Sequence, residues 1–261
     1  MLKPNHINLL GGGVNENPLC ATVLAPIQKL RKNLAFTLAE VLITLGIIGI
    51  VAAMVLPSLI SSIKKHTVES RLKHSYALLN EVVRLAQADY GDPSAWDYKD
   101  GMTFVQNYML PYMRTSKLIS NNKGGMVGDK SHIALSNGTV WTITKMAVPA
   151  SQGQPAYNFI RVGVDVNGDS NPNRQGIDLF NFYILSGGRS SYSTGEGSCA
   201  ANVKSAGIYY DGYGIICPAK SNSCSYRQCD GKDDRTSRNS FCIAKIIENN
   251  WKIPKDYPLK F

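Results

Sequence analysis

The sequence has few of the residue patterns on which catalytic sites depend. Its 261 residues include only four histidines: His6, His66, His74 and His132. His132 lies beside Ser131 and near Asp129, but neighbours in sequence do not form a catalytic triad by themselves. The chain has neither a glycine-rich phosphate-binding loop nor the paired histidines of a metalloprotease helix. These absences argue against an enzyme.

Long blocks of like charge are also missing. The formal net charge is +9 and the isoelectric point is about 9.2, yet lysine and arginine are spread along the chain. A dispersed excess of this kind is typical of a solvated surface. It would not repel DNA or another anionic surface, but nothing in its pattern argues for DNA as a partner.

The chain does contain one long apolar run near its start. From Val41 to Leu56 every residue is apolar or glycine except Thr44. The 25 residues 36–60 are enough to cross a hydrocarbon core of about 30 Å at about 1.5 Å per residue. Glu40 lies near the start of this run. An ionisable residue there is a functional hypothesis by default, because a charge is costly in lipid.

Two simpler explanations compete for this run. A generic membrane anchor could carry Glu40 at the bilayer interface, where a charge costs little. A secretory signal peptide has a similar apolar core, but it is shorter and ends in a small-x-small cleavage site, which Ala52-Ala53 matches only weakly. Neither explains why a basic cluster and a small residue precede the segment FTLAE, which begins at Phe36.

The start of the run resembles the class III signal of type IV prepilins and type II secretion pseudopilins. That signal is a basic leader, a cut before an aromatic residue, and T-L-x-E at the head of an apolar helix. The matching residues here are Arg31, Lys32, Ala35 and FTLAE, and the resemblance covers residues 31–60 tightly. It implies that a prepilin peptidase cuts between Ala35 and Phe36 and that the new amine of Phe36 is N-methylated. Most family members have glycine before the cut, where this chain has Ala35.

The resemblance also implies how the chain assembles. Glu40 would pair with the N-terminal amine of a neighbouring subunit, and two charges that are costly alone in lipid are tolerable as a pair. Pro57 stands where many family members carry a proline, and its missing N–H would loosen or kink the helix.

Partners and location follow from the same resemblance. The implied partners are like subunits and other pilins, the prepilin peptidase, the assembly platform of the inner membrane and, before assembly, the lipid bilayer. The implied location is the inner membrane, crossed once with the N-terminus in the cytoplasm, and then a periplasmic or cell-surface filament.

The expected fold class is α+β, the pilin architecture of one long helix packed on an antiparallel sheet. The chain divides into a leader (1–35), a transmembrane and polymerisation helix (36–60), an amphipathic continuation of that helix (61–90) and a periplasmic or extracellular globular domain (91–261). The continuation carries an apolar stripe at helical spacing: Leu72, Tyr76, Leu79, Val83, Ala86 and Tyr90. Expected strands are 132–135, 139–143, 156–166 and 178–185, with the hairpin signal Asn137-Gly138 between the first two.

A loop at residues 165–178 has oxygen-bearing side chains at alternate positions: Asp165, Asn167, Asp169, Asn171 and Asn173, with Asp178 beyond them. Such alternation is how a loop wraps a hard cation such as Ca²⁺. The match to a calcium loop then fails. The glycine that such a loop has at its sixth position is instead at position 168, and Gly176 occupies the twelfth position, where a calcium loop has a bidentate glutamate. Asn, Asp, Gly and Pro are also ordinary turn residues. The loop is therefore a candidate calcium site, with turn chemistry as the alternative.

Five of the six cysteines lie beyond the predicted span: Cys199, Cys217, Cys224, Cys229 and Cys242. The sixth, Cys20, is in the leader. Clustering in an exported segment favours disulfides. Zinc is the competitor, but the C-x2-C pairs typical of zinc ribbons are absent. We expect two disulfides in a pairing that the sequence leaves open, with the fifth cysteine free or paired between subunits.

Two function classes remain. The favoured one is a structural subunit of a type IV pilus-like or type II secretion pseudopilus filament, polymerised through its N-terminal helix. The alternative is a monomeric, membrane-anchored binding module whose ligand face includes the candidate calcium loop. Cutting before Phe36 discriminates between them, because only the filament subunit needs a free amine there.

Overall fold

The computed structural model describes residues 36–114, 116–122, 130–148, 157–168, 170–187, 200–201, 205–211, 214–216, 229–231 and 239–261. Within these segments the helices are α1 (Leu38–Tyr90), α2 (Gly101–Tyr108) and α3 (Cys242–Glu248), with short 3-10 helices at Pro93–Ala95 and Leu110–Tyr112. Backbone contacts divide the chain into two compact units, Met1–Gly49 and Ile50–Phe261, so that α1 begins in the first and ends in the second.

The second half of α1 is amphipathic. Its buried side chains recur every three or four residues: Val68, Leu72, Ser75, Leu79, Val82, Val83 and Ala86. The exposed face carries Lys73, Asn80, Glu81 and Arg84. The predicted stripe is therefore confirmed from Leu72 to Ala86. At its end Tyr90 is half exposed and stacks edge-on against Tyr108, with ring centroids 5.0 Å apart.

Glycine allows the chain to reverse where α1 ends. Gly91 has a φ of +78°, in the left-handed region, and its N–H donates to the carbonyl of Gln87 at 2.9 Å. Asp92 then caps the following 3-10 helix by accepting from the N–H of Ser94 at 2.8 Å. Hydrogen bonds from the Ser94 side chain and backbone hold the pKa of Asp92 below its usual range.

The described residues form one eight-stranded sheet with the order β1-β2-β3-β4-β5-β7-β8-β6. The strands are β1 (Ser116–Asn122), β2 (Lys130–Leu135), β3 (Val140–Val148), β4 (Tyr157–Asp165), β5 (Leu179–Leu185), β6 (Ala200–Ala201), β7 (Gly207–Asp211) and β8 (Gly214–Ile216). Six of them, β1 to β5 and β7, pair antiparallel; β8 joins β7 in parallel and β6 pairs antiparallel with β8.

The α+β fold class is confirmed, but the sheet is larger than the four strands expected. The sequence pattern missed β1, which is mostly polar, and the short strands β6 to β8. Strands of this kind are specified by hydrogen bonds to a neighbouring strand rather than by local propensity. The hairpin at Asn137-Gly138 is confirmed: Gly138 has a φ of +83° and its N–H donates to the Leu135 carbonyl at 3.1 Å.

The two faces of the sheet differ in chemistry. One face builds the core with α1, through Trp141, Ile143, Val162, Val164, Phe180 and Phe182. Tyr76 of α1 packs on Phe182 with ring centroids 5.5 Å apart, and the Arg71 guanidinium donates to the Val166 carbonyl at 2.7 Å. The residues between these core positions point to the opposite face of the sheet, which is polar over the central strands.

The C-terminal segment packs on α1. Trp251 stacks on Tyr76 with ring centroids 5.0 Å apart. Glu69 of α1 accepts from the backbone N–H of Ile253 at 2.8 Å and from the Lys252 ammonium at 3.0 Å. These contacts join residues 183 and 184 positions apart in sequence.

Candidate functional site

Thr37 and Glu40 close the start of α1 by reciprocal hydrogen bonds. Glu40 Oε2 accepts from the Thr37 backbone N–H at 2.8 Å and from the Thr37 hydroxyl at 2.9 Å. In return, the Glu40 N–H donates to Thr37 Oγ1 at 3.2 Å. This arrangement is a capping box, which gives partners to backbone N–H groups that the first helical turn cannot satisfy.

The capping box leaves one oxygen of the Glu40 carboxylate for a further partner. Both bonds from Thr37 go to Oε2, and Oε1 accepts none from the part of the chain that the structure describes. Sequence reasoning assigned Thr37 no role. The signal was present, because T-x-x-E ahead of an apolar run is the signature of a capping box.

Beyond Glu40 the first half of α1 is apolar on all sides and exposed. The exposed fraction of its large apolar side chains ranges from 41% at Val41 to 75% at Met54, and ahead of Glu40 the side chains of Leu38 and Phe36 are 78% and 84% exposed. Among the described residues, α1 is the helix long and apolar enough to cross a membrane, by length and composition. None of its most apolar stretch is buried by the residues that the structure describes.

The few polar groups within the run are satisfied inside the helix. The Thr44 hydroxyl donates to the Val41 carbonyl at 3.0 Å, and the Ser58 hydroxyl donates to the Val55 carbonyl at 2.8 Å. Pro57 lies within α1 and does not end it, although proline has no N–H to donate to the carbonyl four residues earlier. Because their hydroxyls bond within the helix, Thr44 and Ser58 are compatible with lipid.

The predicted processing site lies at the edge of the described region. Phe36 is the first described residue, and Ala35 lies outside the described residues together with the rest of the leader. Cleavage between them, methylation of Phe36, and the assembly roles of Glu40 and Pro57 stay predictions.

The second candidate site, the loop 165–178, is organised around a buried carboxylate. Asp178 is only 1% exposed. It accepts from the backbone N–H groups of Asn173 at 2.8 Å and Arg174 at 2.5 Å, and from Asn167 Nδ2 at 3.2 Å. Backbone donors of this kind satisfy a buried carboxylate without a metal.

The other predicted calcium ligands are only partly gathered. Asp165 Oδ1 accepts from the Asn167 N–H at 3.2 Å, and the Asn173 amide, oriented to suit its neighbours, donates to Asp165 Oδ2 at 3.2 Å. The Asn171 carbonyl accepts from Asn167 Nδ2 at 3.2 Å, while Asp169 lies outside the described residues. Calcium binding stays a prediction, and the described contacts are those of a hydrogen-bonded turn.

One disulfide is described, between Cys229 and Cys242, with Cα atoms 4.8 Å apart. It ties the segment 229–231 to the start of α3 and packs with Ile177 and Leu259. These two sulfur atoms are bonded to each other and are not zinc ligands. The cysteines left outside the described residues are Cys20, Cys199, Cys217 and Cys224, so the second predicted disulfide stays a prediction.

Two family models match the chain. Residues 30–56 match the prokaryotic N-terminal methylation motif, the prepilin cleavage and methylation signal. Residues 58–261 match a family of unknown function, DUF6613. The chain belongs to the DUF6613 family. No curated protein and no solved structure matches it.

The resemblance to prepilins that the segment FTLAE predicted is confirmed by the methylation motif. In this DUF6613 protein the two matched regions meet at Pro57, inside α1. The helix that carries the processing signal therefore continues, without a break in its helical backbone, into the region that defines the family.

Proposed function

We propose that this DUF6613 protein is a structural subunit of a type IV pilus-like or type II secretion pseudopilus filament. A prepilin peptidase cuts it between Ala35 and Phe36, Phe36 is N-methylated, and the subunit assembles through α1. The observation that carries the proposal is the exposed apolar surface of α1, headed by Glu40, inside a prepilin methylation motif.

Burial of that surface supplies the driving force. Exposed apolar side chains on every side of a helix are stable only in lipid or against other helices. Before assembly the bilayer of the inner membrane covers them, with the N-terminus on the cytoplasmic side. In the filament, the helices of like subunits and other pilins replace the lipid, after transfer by the assembly platform.

Glu40 gives the assembly its register. The capping box holds Oε2 and leaves Oε1 to accept from the Phe36 amine of a neighbouring subunit. A carboxylate and an amine that are each costly in an apolar bundle are tolerable as a hydrogen-bonded pair. The monomeric anchored module has no such requirement, because its helix remains in lipid with Glu40 at the interface.

The experiment is to determine the N-terminus of the protein isolated from its native membrane by mass spectrometry. We expect the chain to begin at Phe36 with one added methyl group. The matched control is the same strain without prepilin peptidase, in which the leader should remain. An intact leader in the wild type, or a cut near Ala53, would reject processing as a prepilin.

A further inference from the structure

The sheet face opposite α1 carries a cavity of about 590 Å³. Its lining comes from four neighbouring strands, β2 to β5, and from the loop before β5, and it includes the carboxylate of Asp165. The strand residues that matter here are Lys130, His132, Thr142, Arg161, Gly163 and Asn181. Its volume falls in the range of small-molecule sites, roughly 300–1,000 Å³.

Strand register places these residues in two rows. In one row Lys130 and Arg161 flank Thr144, one on each side. Because neighbouring strands lie about 4.8 Å apart, the backbones of the two cations are about 10 Å apart. In the next row His132, Thr142, Gly163 and Asn181 follow one another across the sheet.

The two cations of the first row have no ion-pair partner among the described residues. Neither Lys130 nor Arg161 forms a hydrogen bond or ion pair within the described segments of the chain. One carboxylate, Asp165, also lines the cavity and accepts from the Asn167 N–H at 3.2 Å. A second, Asp211, accepts from the Tyr183 hydroxyl at 3.0 Å. Two half-buried cations against one carboxylate leave the lining with a net positive charge, which favours an anion.

The rest of the lining suits hydroxyl groups. The Asn181 and Gln175 amides both line the cavity, and Asn181 Nδ2 donates to Gln175 Oε1 at 3.5 Å and to Asp211 Oδ2 at 3.4 Å. The Asn181 oxygen and the Gln175 NH2 group are therefore the parts of these amides that can bind a ligand. The Thr142 hydroxyl lies 3.1 Å from His132 Nδ1, which fixes both side chains. Gly163 leaves the centre of the floor open, since a Cβ there would meet its nearest neighbours at 3.6–3.8 Å.

We propose that this cavity binds an anionic sugar, meaning a saccharide unit that carries a carboxylate or a phosphate. Arg161 and Lys130 receive the anionic group, because guanidinium binds carboxylate and phosphate oxygens in pairs. The amides of Gln175 and Asn181 and the Thr142 hydroxyl bind the ring hydroxyls. This site goes beyond the proposed filament function and does not depend on assembly, so either one can fail without the other.

The test is isothermal titration of the full-length protein in detergent with three probes. Digalacturonate supplies a carboxylated sugar, glucose 6-phosphate a phosphorylated one, and digalactose the neutral counterpart. We expect one or both anionic probes to bind, and digalactose to bind at least about tenfold more weakly, which is the effect of losing charge-assisted hydrogen bonds. No binding of either anionic probe, or equal binding of digalactose, would overturn the proposal.

Variants locate the binding. Arg161→Gln should weaken the anionic probe about tenfold or more, and Gly163→Val should abolish binding by filling the floor. Lys145→Gln is the matched control, because Lys145 follows Thr144 on β3 and lies on the opposite face. If Gly163→Val does not fold, Arg161→Gln decides. An equal loss of binding in Lys145→Gln would show dispersed electrostatic attraction and reject the site. The same conclusion would follow if a short DNA duplex competed with the sugar and still bound to Gly163→Val.

Discussion

The two halves of α1 differ in whether the rest of the described chain buries their apolar side chains. From Leu38 to Ile63 the large apolar side chains are exposed on all sides, whereas from Val68 to Ala86 one face is buried and the other is polar. The second half finds its partner within the chain, in the sheet. The first half must find its partner in lipid or in another subunit. The same helical backbone thus serves folding at one end and, in the proposed filament, association at the other.

Glu40→Ala should have the largest effect, and only on association. Leaving the neighbouring amine unpaired in the helix bundle costs roughly 3–5 kcal/mol, so we expect filaments to be lost. Membrane insertion should remain, because removing a carboxylate from an apolar helix makes insertion easier. Sheared filaments or secreted cargo, counted at equal membrane levels, measure the effect.

Glu81→Ala is the matched control, since Glu81 is an exposed carboxylate in the second half of α1. It should assemble normally. Normal assembly of Glu40→Ala would shift the interpretation to a monomeric membrane-anchored module.

Leu79→Ala, in the second half of α1, should lower the stability of the fold. Leu79 has no exposed surface, and truncating a buried leucine costs roughly 2–5 kcal/mol of unfolding free energy. Leu45→Ala, at a side chain that is 59% exposed, should leave that free energy unchanged. Urea unfolding in detergent, followed by tryptophan fluorescence, measures both. Similar losses in the two variants would contradict the division of α1 into two halves.

Removal of the Cys229–Cys242 disulfide should destabilise only the globular part of the chain. The bond closes a loop of 13 residues, for which restriction of the unfolded chain predicts about 3 kcal/mol. We expect the double change Cys229→Ser, Cys242→Ser to lower the unfolding free energy by about that amount while the helical signal of the membrane segment persists. Non-reducing peptide mapping of exported protein checks the pairing, and a Cys229 partner other than Cys242 would contradict it.

Thr37→Ala should have the smallest effect. Loss of a threonine N-cap costs about 1 kcal/mol and frees Glu40 Oε2, so the first turn of α1 should fray and assembly should fall without being lost. Amide hydrogen exchange of residues 38–41 measures the fraying. Thr44→Ala removes a hydroxyl that bonds within the helix and should leave exchange at the first turn unaltered. Equal exchange in both variants would exclude the capping role.

Features that depend on residues close together in sequence were predictable. The apolar run, the segment FTLAE, the stripe from Leu72 to Ala86 and the turn at Asn137-Gly138 each depend on residues within a few positions of one another. Helix periodicity, capping and turn geometry act over that range. The capping role of Thr37 belongs to the same class, and the T-x-x-E pattern was sufficient to find it.

Contacts between elements decided the rest. The polar strand β1 and the short strands β6 to β8 are specified by their pairing with other strands, and Cys229 is bonded to a cysteine 13 positions away. The Arg71 bond to the Val166 carbonyl spans 95 positions, and the Ile253 bond to Glu69 spans 184. Strand order likewise brought Lys130 and Arg161 to one cavity. Local sequence determined which segments form a helix, a turn or a membrane span, because those depend on neighbouring residues. Only the tertiary structure decided which segments meet, because that depends on the packing of the whole sheet.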